Sequence, residues 1–261
     1  MNADDLGMSP GTNKAIFHGY DNGYINSTSI MTNCDYFNDA IQGLSARKNL
    51  KVGIHLNLTY GKSLSESFIL SNKDGFFNLS YLDILYKSIV NKNFLAEIES
   101  EFELQIQKAI HNKIEISHLD SHRHVHLIPN LYKIVYRLSM KYSVDRVRLV
   151  NENIFHSLSL TKKFDFFSNG GLLKYLLLKF FTYINKNYGD KYKGISFYSI
   201  LYTGIIKRSS LIKLMKSDTV FEIVVHPSYV NLDKNITFYN DAEKAYRLSS
   251  NRSLELSGIL K

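Results

Sequence analysis

Short apolar runs alternate with longer amphipathic segments along most of the chain. Strands are predicted where β-branched and aliphatic residues follow one another, at 25–32, 51–58, 116–121, 146–150, 195–202 and 220–225. Helices are predicted where apolar positions recur every three or four residues, at 9–23, 35–48, 80–91, 93–112, 129–138, 172–186 and 209–215. This alternation of strands and helices is typical of a parallel sheet covered by helices.

We therefore predict an α/β fold, specifically a distorted (β/α) TIM-like barrel that forms a single domain over residues 1–261. A chain of 261 residues is long enough for one sizeable core, and no proline-rich linker or repeat divides it. Periodicity alone does not separate a closed barrel from an open sheet, but polar residues at the strand ends favour the barrel. Residues 59–79 lack periodicity and are predicted to form a loop that overhangs a site.

The segment before the first helix contains an acidic pair, Asp4 and Asp5. Such a pair normally lies at the end of a strand, and only Met1, Asn2 and Ala3 stand before it. We therefore expect the first strand of the barrel to be missing from this chain. Our hypothesis is that the functional protein begins a few residues further upstream.

Composition limits the classes of partner. The net charge is +8, but the basic residues are scattered, so we predict no nucleic-acid partner. The lone Cys34 and the absence of an apolar signal region favour a cytoplasmic, reducing compartment. The segment Leu172–Lys186 is interpreted as an ordinary amphipathic helix rather than a membrane-surface helix, so membrane association is the less favoured alternative. A homodimer is left open.

The densest chemistry lies between His118 and His126, where nine residues hold four of the nine histidines and Asp120. Imidazole and carboxylate groups bind divalent metals and move protons near neutral pH. The alternatives are a histidine-rich surface patch and an adventitious metal binder. The chain has no thiolate cluster, so any metal must be bound by His, Asp or Glu.

Three further polar positions follow apolar runs, at the Asp4 and Asp5 pair, at His55 and at His226. Either histidine taken alone would more often be a satisfied core residue. Their shared placement after predicted strands changes this interpretation, because independent structural histidines have no reason to occupy the same end of successive strands. We predict that these residues and the histidine-rich stretch form one site.

Four motifs in this order resemble the YdjC-like carbohydrate deacetylases, the family that includes the ChbG chito-oligosaccharide deacetylases. They are Asn2 to Gly7 (NADDLG), Gly53 to Thr59 (GIHLNLT), His118 to His126 (HLDSHRHVH) and Glu222 to Pro227 (EIVVHP). Weaker agreement is found at 147–149 with Glu152, at 202–204 and at 252–256.

The resemblance implies a hydrolase that removes the acetyl group from an N-acetylated amino sugar or oligosaccharide with a divalent metal ion. The implied metal ligands are Asp5, His55 and His122, with Mg²⁺ or Zn²⁺ favoured and Mn²⁺ as a further option. Asp4 is the candidate base for the attacking water, and His226 is the candidate acid for the leaving amine.

Three other residues are assigned supporting roles. Asp120 is predicted to orient a histidine rather than to bind metal. His126 stands four residues after His122, so in a helix both would face one cavity, and it is kept as a substrate contact or spare ligand. Arg148 is predicted to orient Asp4 or to hold a sugar group, with a surface salt bridge as an equal alternative.

Two other functions compete with deacetylation. The first is a non-catalytic sugar-binding or metal-binding relative, disabled by the missing first strand. The second is a non-haem iron protein, in which His118, Asp120 and His226 would form the iron-binding triad. That triad belongs on a jelly-roll-like sheet, whereas this chain alternates strands with helices, so it is disfavoured.

Overall fold

The computed structural model describes residues 1–161, 171–188, 195–198, 200–216, 219–238 and 240–260. The strands in these residues are β1 (Asn2–Leu6), β2 (Ser27–Ile30), β3 (Lys51–Leu56), β4 (Ile116–Ser121), β5 (Ser196–Tyr198) and β6 (Phe221–Val225). The helices are α1 (Pro10–Asp21), α2 (Phe37–Ser45), α3 (Tyr81–Val90), α4 (Lys92–His111), α5 (Pro129–Lys141), α6 (Ile154–Thr161), α7 (Gly171–Asn185), α8 (Arg208–Met215), α9 (Asp241–Arg247) and α10 (Ser250–Leu260). Three short 3₁₀ segments lie at 122–127, 186–188 and 230–233.

The chain divides into two compact units. The first unit contains Met1–Asp4, Pro10–Thr28 and Leu149–Lys261, and the second contains Asp5–Ser9 and Ser29–Arg148. Each is described by itself below. Strands β1 and β2 contribute residues to both units because the division falls within them.

The second unit is built on β3 and β4, which pair in parallel and place His55 opposite Asp120. Helices α2 to α5 belong to this unit. The longest of them, α4, buries Phe94, Ile98, Phe102 and Ile106 completely, at the i, i+4, i+8 and i+12 positions of one face. This packing makes the strand ends of the second unit a rigid support for polar side chains.

In the first unit, β6 pairs in parallel with both β1 and β5. Residues Asn2 and Ala3 of β1 lie opposite Val224 and Val225. The prediction that the first strand is missing is therefore wrong, because the acidic pair lies within β1 instead of following it. This five-residue strand was not predicted because it is mostly polar, whereas the other strands were predicted from their apolar positions.

The structure confirms an α/β fold with parallel strand pairing, whereas the barrel and the single domain over 1–261 stay predictions. The strand predicted at 146–150 is reduced to one parallel bridge between Leu119 and Val147. Helices α6, α9 and α10 were not predicted from the sequence. Among the described residues, no helix is long and apolar enough to cross a membrane.

Candidate functional site

Asp5, His55 and His122 come together in the second unit although they lie far apart in sequence. One potential ligand atom from each residue lies within 4.8 Å of the others, and all three side chains are buried. His122 Nδ1 is 3.1 Å and His55 Nε2 is 3.5 Å from Asp5 Oδ1. Two imidazoles and one carboxylate are a donor set that suits a catalytic divalent cation, since they leave coordination positions for water and substrate.

The backbone is strained where it presents these groups. Asp5 has a φ of 72°, and Arg123 and His124, which follow His122, have φ values of 55° and 56°. Non-glycine residues rarely adopt this left-handed region, and such strain concentrates at functional sites. The surrounding packing must therefore hold Asp5 and the turn after His122 in place.

Asp120 fixes the orientation of His55. Its carboxylate accepts hydrogen bonds from His55 Nδ1 at 2.7 Å and from Ser29 Oγ at 2.6 Å, and it pairs with Arg148 Nη2 at 2.5 Å. Burial acts to raise the pKa of Asp120, but the charges of Arg148 and His55 hold it well below its usual value. With Nδ1 of His55 donating to a permanent carboxylate, Nε2 is left to bind a cation.

His118 extends this network. Its Nε2 lies 3.0 Å from Ser29 Oγ and its Nδ1 lies 2.8 Å from Ser117 Oγ. The ring is packed against Gly53, where an added Cβ would lie 2.3 Å from the imidazole atoms. Gly53 is therefore required by close approach, and His118 acts on the site through Ser29 and Asp120.

His126 does not occupy the place expected from helical spacing. Residues 122–127 form a kinked 3₁₀ segment rather than an α-helix, so His122 and His126 do not share a helix face. Both ring nitrogens of His126 are hydrogen-bonded, Nδ1 to Ser121 Oγ at 2.6 Å and Nε2 to the Arg148 carbonyl at 3.0 Å. These bonds favour a positioning role over a spare metal ligand.

Burial changes the protonation of both histidines in this turn. It lowers the pKa of His122 to about 4, although the Asp5 carboxylate acts in the opposite direction. It also lowers the pKa of His126 to about 4, against the raising effect of Asp120. Both imidazoles are therefore neutral at pH 7, as a metal-binding histidine must be.

Arg148 is fully buried and paired with Asp120. The alternative of a surface salt bridge is therefore wrong. Burying a guanidinium and a carboxylate costs desolvation of both groups, and the close contact between them offsets part of this cost. The pair holds Asp120 ionised inside the second unit.

Residues 57–65, which include the start of the loop predicted at 59–79, are anchored by α4. Glu101 accepts hydrogen bonds from Ser63 Oγ and from the backbone N–H groups of Leu64 and Ser65, at 2.7 to 2.9 Å. Gln105 bonds to the backbone N–H and carbonyl of Asn57 at 2.9 and 2.8 Å. The anchored segment brings the ring of Tyr60 to 5.8 Å from the ring of His122, edge to face.

A second polar cluster lies in the first unit. His226 Nε2 is 3.8 Å from Asp4 Oδ2, and His226 Nδ1 is 3.7 Å from Glu255 Oε2. Asn2 Nδ2 donates to Asp4 Oδ1 at 2.7 Å, while Glu255 accepts from the backbone N–H groups of His226 and Gly204, both at 2.5 Å. His226 retains 17% exposure of its side chain, so this cluster is partly open to solvent.

The predicted residues thus fall into two groups. The second unit brings together Asp5, His55, Asp120, His122, His126 and Arg148, and the first unit brings together Asp4 and His226. The sequence missed three supporting residues, Ser29, Tyr60 and Glu255. Of these three, only Glu255 could have been found from the sequence, since it lies in the segment 252–256 that agrees weakly with the YdjC-like family.

The comparisons with known proteins agree with these motifs. The model of the YdjC-like protein family matches residues 1–259. A carbohydrate deacetylase from Clostridium beijerinckii is 30% identical over 67% of this chain and 70% of its own length. Carbohydrate deacetylase 1 from Listeria innocua is 27% identical over 88% of this chain and 81% of its own length.

A crystal structure from Enterococcus faecalis, described as a candidate cellobiose-phosphate cleavage protein, has a similar fold. It is 21% identical, and the match covers 100% of this chain and 89% of that one with a TM-score of 0.68. At this identity the likeness concerns the fold alone. Because the family model matches almost from end to end, this chain belongs to the YdjC-like protein family.

Proposed function

We propose that this protein removes the acetyl group from an N-acetylated amino sugar or oligosaccharide by metal-dependent hydrolysis of the amide bond, on a distorted (β/α) TIM-like barrel. The observation that carries the proposal is the buried set of Asp5, His55 and His122. Relatives named carbohydrate deacetylase support the substrate class. The parallel strands and the similar fold of the Enterococcus faecalis protein support the barrel.

Asp5, His55 and His122 are the residues that would hold the metal ion. A divalent cation such as Mg²⁺, Zn²⁺ or Mn²⁺ supplies positive charge there that polarises the amide carbonyl and makes water more acidic. Asp120 keeps His55 in the tautomer whose Nε2 carries the lone pair that a cation would need. Arg148 keeps Asp120 ionised for that task.

Amide hydrolysis also requires a proton to leave the attacking water and another to reach the leaving amine. Asp4 is proposed as the base, with Asn2 donating to one of its oxygens and leaving the other nearer to His226. His226 is proposed as the acid, because its imidazole is partly exposed and able to exchange protons. Glu255 holds the backbone of His226 and lies close to its Nδ1.

The proposed compartment is the cytoplasm, because the single cysteine, Cys34, is a buried thiol and suits reducing conditions. The proposed substrate is a carbohydrate, and the acetamide group is the part that the chemistry of the site requires. Pocket shape would decide which sugar carries it.

Acetate release tests the proposal directly. Purified protein, loaded separately with Mg²⁺, Zn²⁺ and Mn²⁺, is incubated with N-acetylated mono- and oligosaccharides, and free acetate is measured. We expect release with at least one metal, its loss with a chelator, and its return when metal is restored. The His111→Gln variant, which changes an exposed histidine, is the matched control and should keep full activity.

The same experiment separates the non-catalytic alternative. If the protein binds metal stoichiometrically but releases no acetate from any of these substrates, it is a sugar-binding or metal-binding relative and the proposal fails. Failure to bind any of the three metals would also overturn it.

A further inference from the structure

Helix α4 carries two polar side chains within its buried face. Glu101 and Gln105 are fully buried and lie four residues apart, among the apolar side chains that pack into the second unit. Burying a polar group costs free energy unless the group is hydrogen-bonded, and burying a charge costs more. The contacts of these two side chains must therefore account for their place in the helix.

Four neutral groups donate hydrogen bonds to the Glu101 carboxylate. They are Ser63 Oγ at 2.7 Å, the N–H of Leu64 at 2.9 Å, the N–H of Ser65 at 2.8 Å and Gln105 Nε2 at 2.7 Å. Within the described ranges of the chain, no cationic side chain forms an ion pair with Glu101. Because a buried charge adds little net stability, the carboxylate is better explained by the segment that it holds.

The same network holds the backbone of Tyr60. Gln105 bonds to the backbone N–H and carbonyl of Asn57 at 2.9 and 2.8 Å. The side-chain amides of Asn57 and Asn33 both donate to the Tyr60 carbonyl, the second at 2.9 Å. Tyr60 lies between Asn57 and the segment that is bonded to Glu101, so its backbone is fixed on both sides.

The ring of Tyr60 packs on the ring of His122. The two ring centres are 5.8 Å apart at an angle of 65°, and the His55 ring meets His122 at 5.7 Å and 73°. Such edge-to-face contacts are favourable and depend on ring orientation. His122 Nδ1 also lies 3.1 Å from Asp5 Oδ1, so rotation of the His122 ring would disturb all of these contacts. The Tyr60 ring therefore restricts the rotamer of a proposed metal ligand.

We propose that Glu101 is a positioning residue for the metal site, which acts through segment 57–65 and the ring of Tyr60 to hold His122 in the orientation that binds a cation. This inference rests on the proposed function, in which His122 is a metal ligand. A ligand whose rotamer is fixed beforehand loses no conformational freedom when the ion binds, so the affinity for metal is higher.

Metal titration of the metal-free chain tests this inference. Mg²⁺, Zn²⁺ and Mn²⁺ are titrated separately into the original chain and each variant, and calorimetry gives the dissociation constants. In Glu101→Gln an amide N–H₂ replaces one carboxylate oxygen and faces backbone donors, so we expect the affinity to fall by about tenfold. The matched control is Glu97→Gln, the same exchange one helical turn earlier at a half-buried side chain, which should leave the affinity unchanged.

Two variants of Tyr60 test the route. Tyr60→Leu removes the ring and should lower the affinity by about tenfold, whereas Tyr60→Phe keeps the ring and should retain the original affinity. The double variant Glu101→Gln/Tyr60→Leu should bind metal no more weakly than Tyr60→Leu alone, because both changes remove the same contact with His122. Two independent structural defects would instead multiply to about a hundredfold.

Urea unfolding of the metal-free variants separates positioning from stability. We expect each variant to be folded under the conditions of the titration, and the affinity to fall whether or not the free energy of unfolding changes. If Glu101→Gln does not fold, the comparison of Tyr60→Leu with Tyr60→Phe decides alone.

Three results would overturn the inference and leave the proposed function in place. They are a folded Glu101→Gln variant with the original affinity, equal affinities of Tyr60→Leu and Tyr60→Phe, and a multiplied loss in the double variant. An original chain that binds none of the three ions would instead overturn the proposed function, and this inference with it.

Discussion

The two polar clusters of this protein are constructed differently. In the second unit, Asp120 has hydrogen bonds or ion-pair contacts of 2.5 to 2.7 Å with three neighbours, and none of the groups involved is more than slightly exposed. In the first unit, the His226 ring lies 3.7 and 3.8 Å from its two carboxylate neighbours and keeps part of its surface in solvent. One cluster is tightly held, whereas the other leaves its titratable ring free to adjust.

This difference matches what the two clusters are proposed to do. A metal centre needs ligands whose orientation and protonation do not change during turnover, and close contacts around a buried carboxylate provide this. A group that transfers protons must gain and lose charge, which requires access to solvent and neighbours that tolerate both states. The comparison can be tested by removing parts of each cluster separately.

The largest expected effect comes from replacing a proposed metal ligand. His122→Ala removes one of three donors, so bound metal should fall below detection and acetate release should drop by at least about a thousandfold. Metal analysis of the purified variant and an acetate assay give the two values. Unchanged metal content would refute the role of His122 as a ligand.

Replacing the proposed acid should separate activity from metal binding. His226→Gln keeps a polar side chain of similar size, and we expect kcat to fall by about a hundredfold while metal content stays the same. The paired measurement is again acetate release and metal analysis. Loss of metal from this variant would contradict the proposal that one cluster binds the metal and the other transfers protons.

An intermediate effect is expected from Asp120→Asn. The amide cannot supply the charge that orients His55 and neutralises Arg148, so metal affinity should fall by about 10- to 100-fold. Titration with the metal, followed by fluorescence or calorimetry, measures the change. An affinity equal to that of the original protein would show that Asp120 does not support the proposed metal site.

The smallest expected effect is a dependence of the free energy of unfolding on pH. The pKa of His126 is about 4 in the folded protein and about 6.5 in the unfolded chain, so below pH 6.5 the unfolded state binds the extra proton. The free energy of unfolding should therefore fall between pH 6.5 and pH 4, by about 3 kcal/mol from this residue, and change no further below pH 4.

Urea unfolding at several pH values, with metal removed, measures this slope. His126→Gln should reduce the slope without abolishing it, since glutamine does not titrate but His122, whose pKa burial also lowers to about 4, still does. The exposed His111→Gln should leave the slope unchanged. If the His126→Gln profile has the same slope as that of the original chain, the buried neutral state of His126 is not the cause.

The sequence predicted the bounds of three strands closely. Strand β4 has the predicted bounds, and β3 and β6 end or begin within two residues of them. Strand β1 was not predicted because two of its five residues are aspartates. Its parallel pairing with β6, rather than its composition, makes it a strand. The segment 146–150 was predicted as a strand from its three aliphatic residues, but it forms only one bridge, between Leu119 and Val147.

For the site, the motifs identified residues but not their contacts. The proximity of Asp5, His55 and His122 followed from their placement at strand ends. The hydrogen bond between Ser29 and Asp120 could not be predicted in this way, because serine is common and the two residues are 91 positions apart. The kink at Arg123 and His124 was not predicted either, because neither residue is a glycine, the residue that most readily adopts a left-handed backbone.

The anchoring of residues 57–65 by Glu101 and Gln105 has a consequence for how this fold can change its substrate. The bonds hold the base of the loop, whereas its outer part carries Phe68, 84% exposed, and bridges back through Lys62 and Phe76. We expect insertions or exchanges in the outer part to leave the contact between Tyr60 and His122 in place. The sequence of the outer part can therefore diverge while the side chains beside His122 keep their positions.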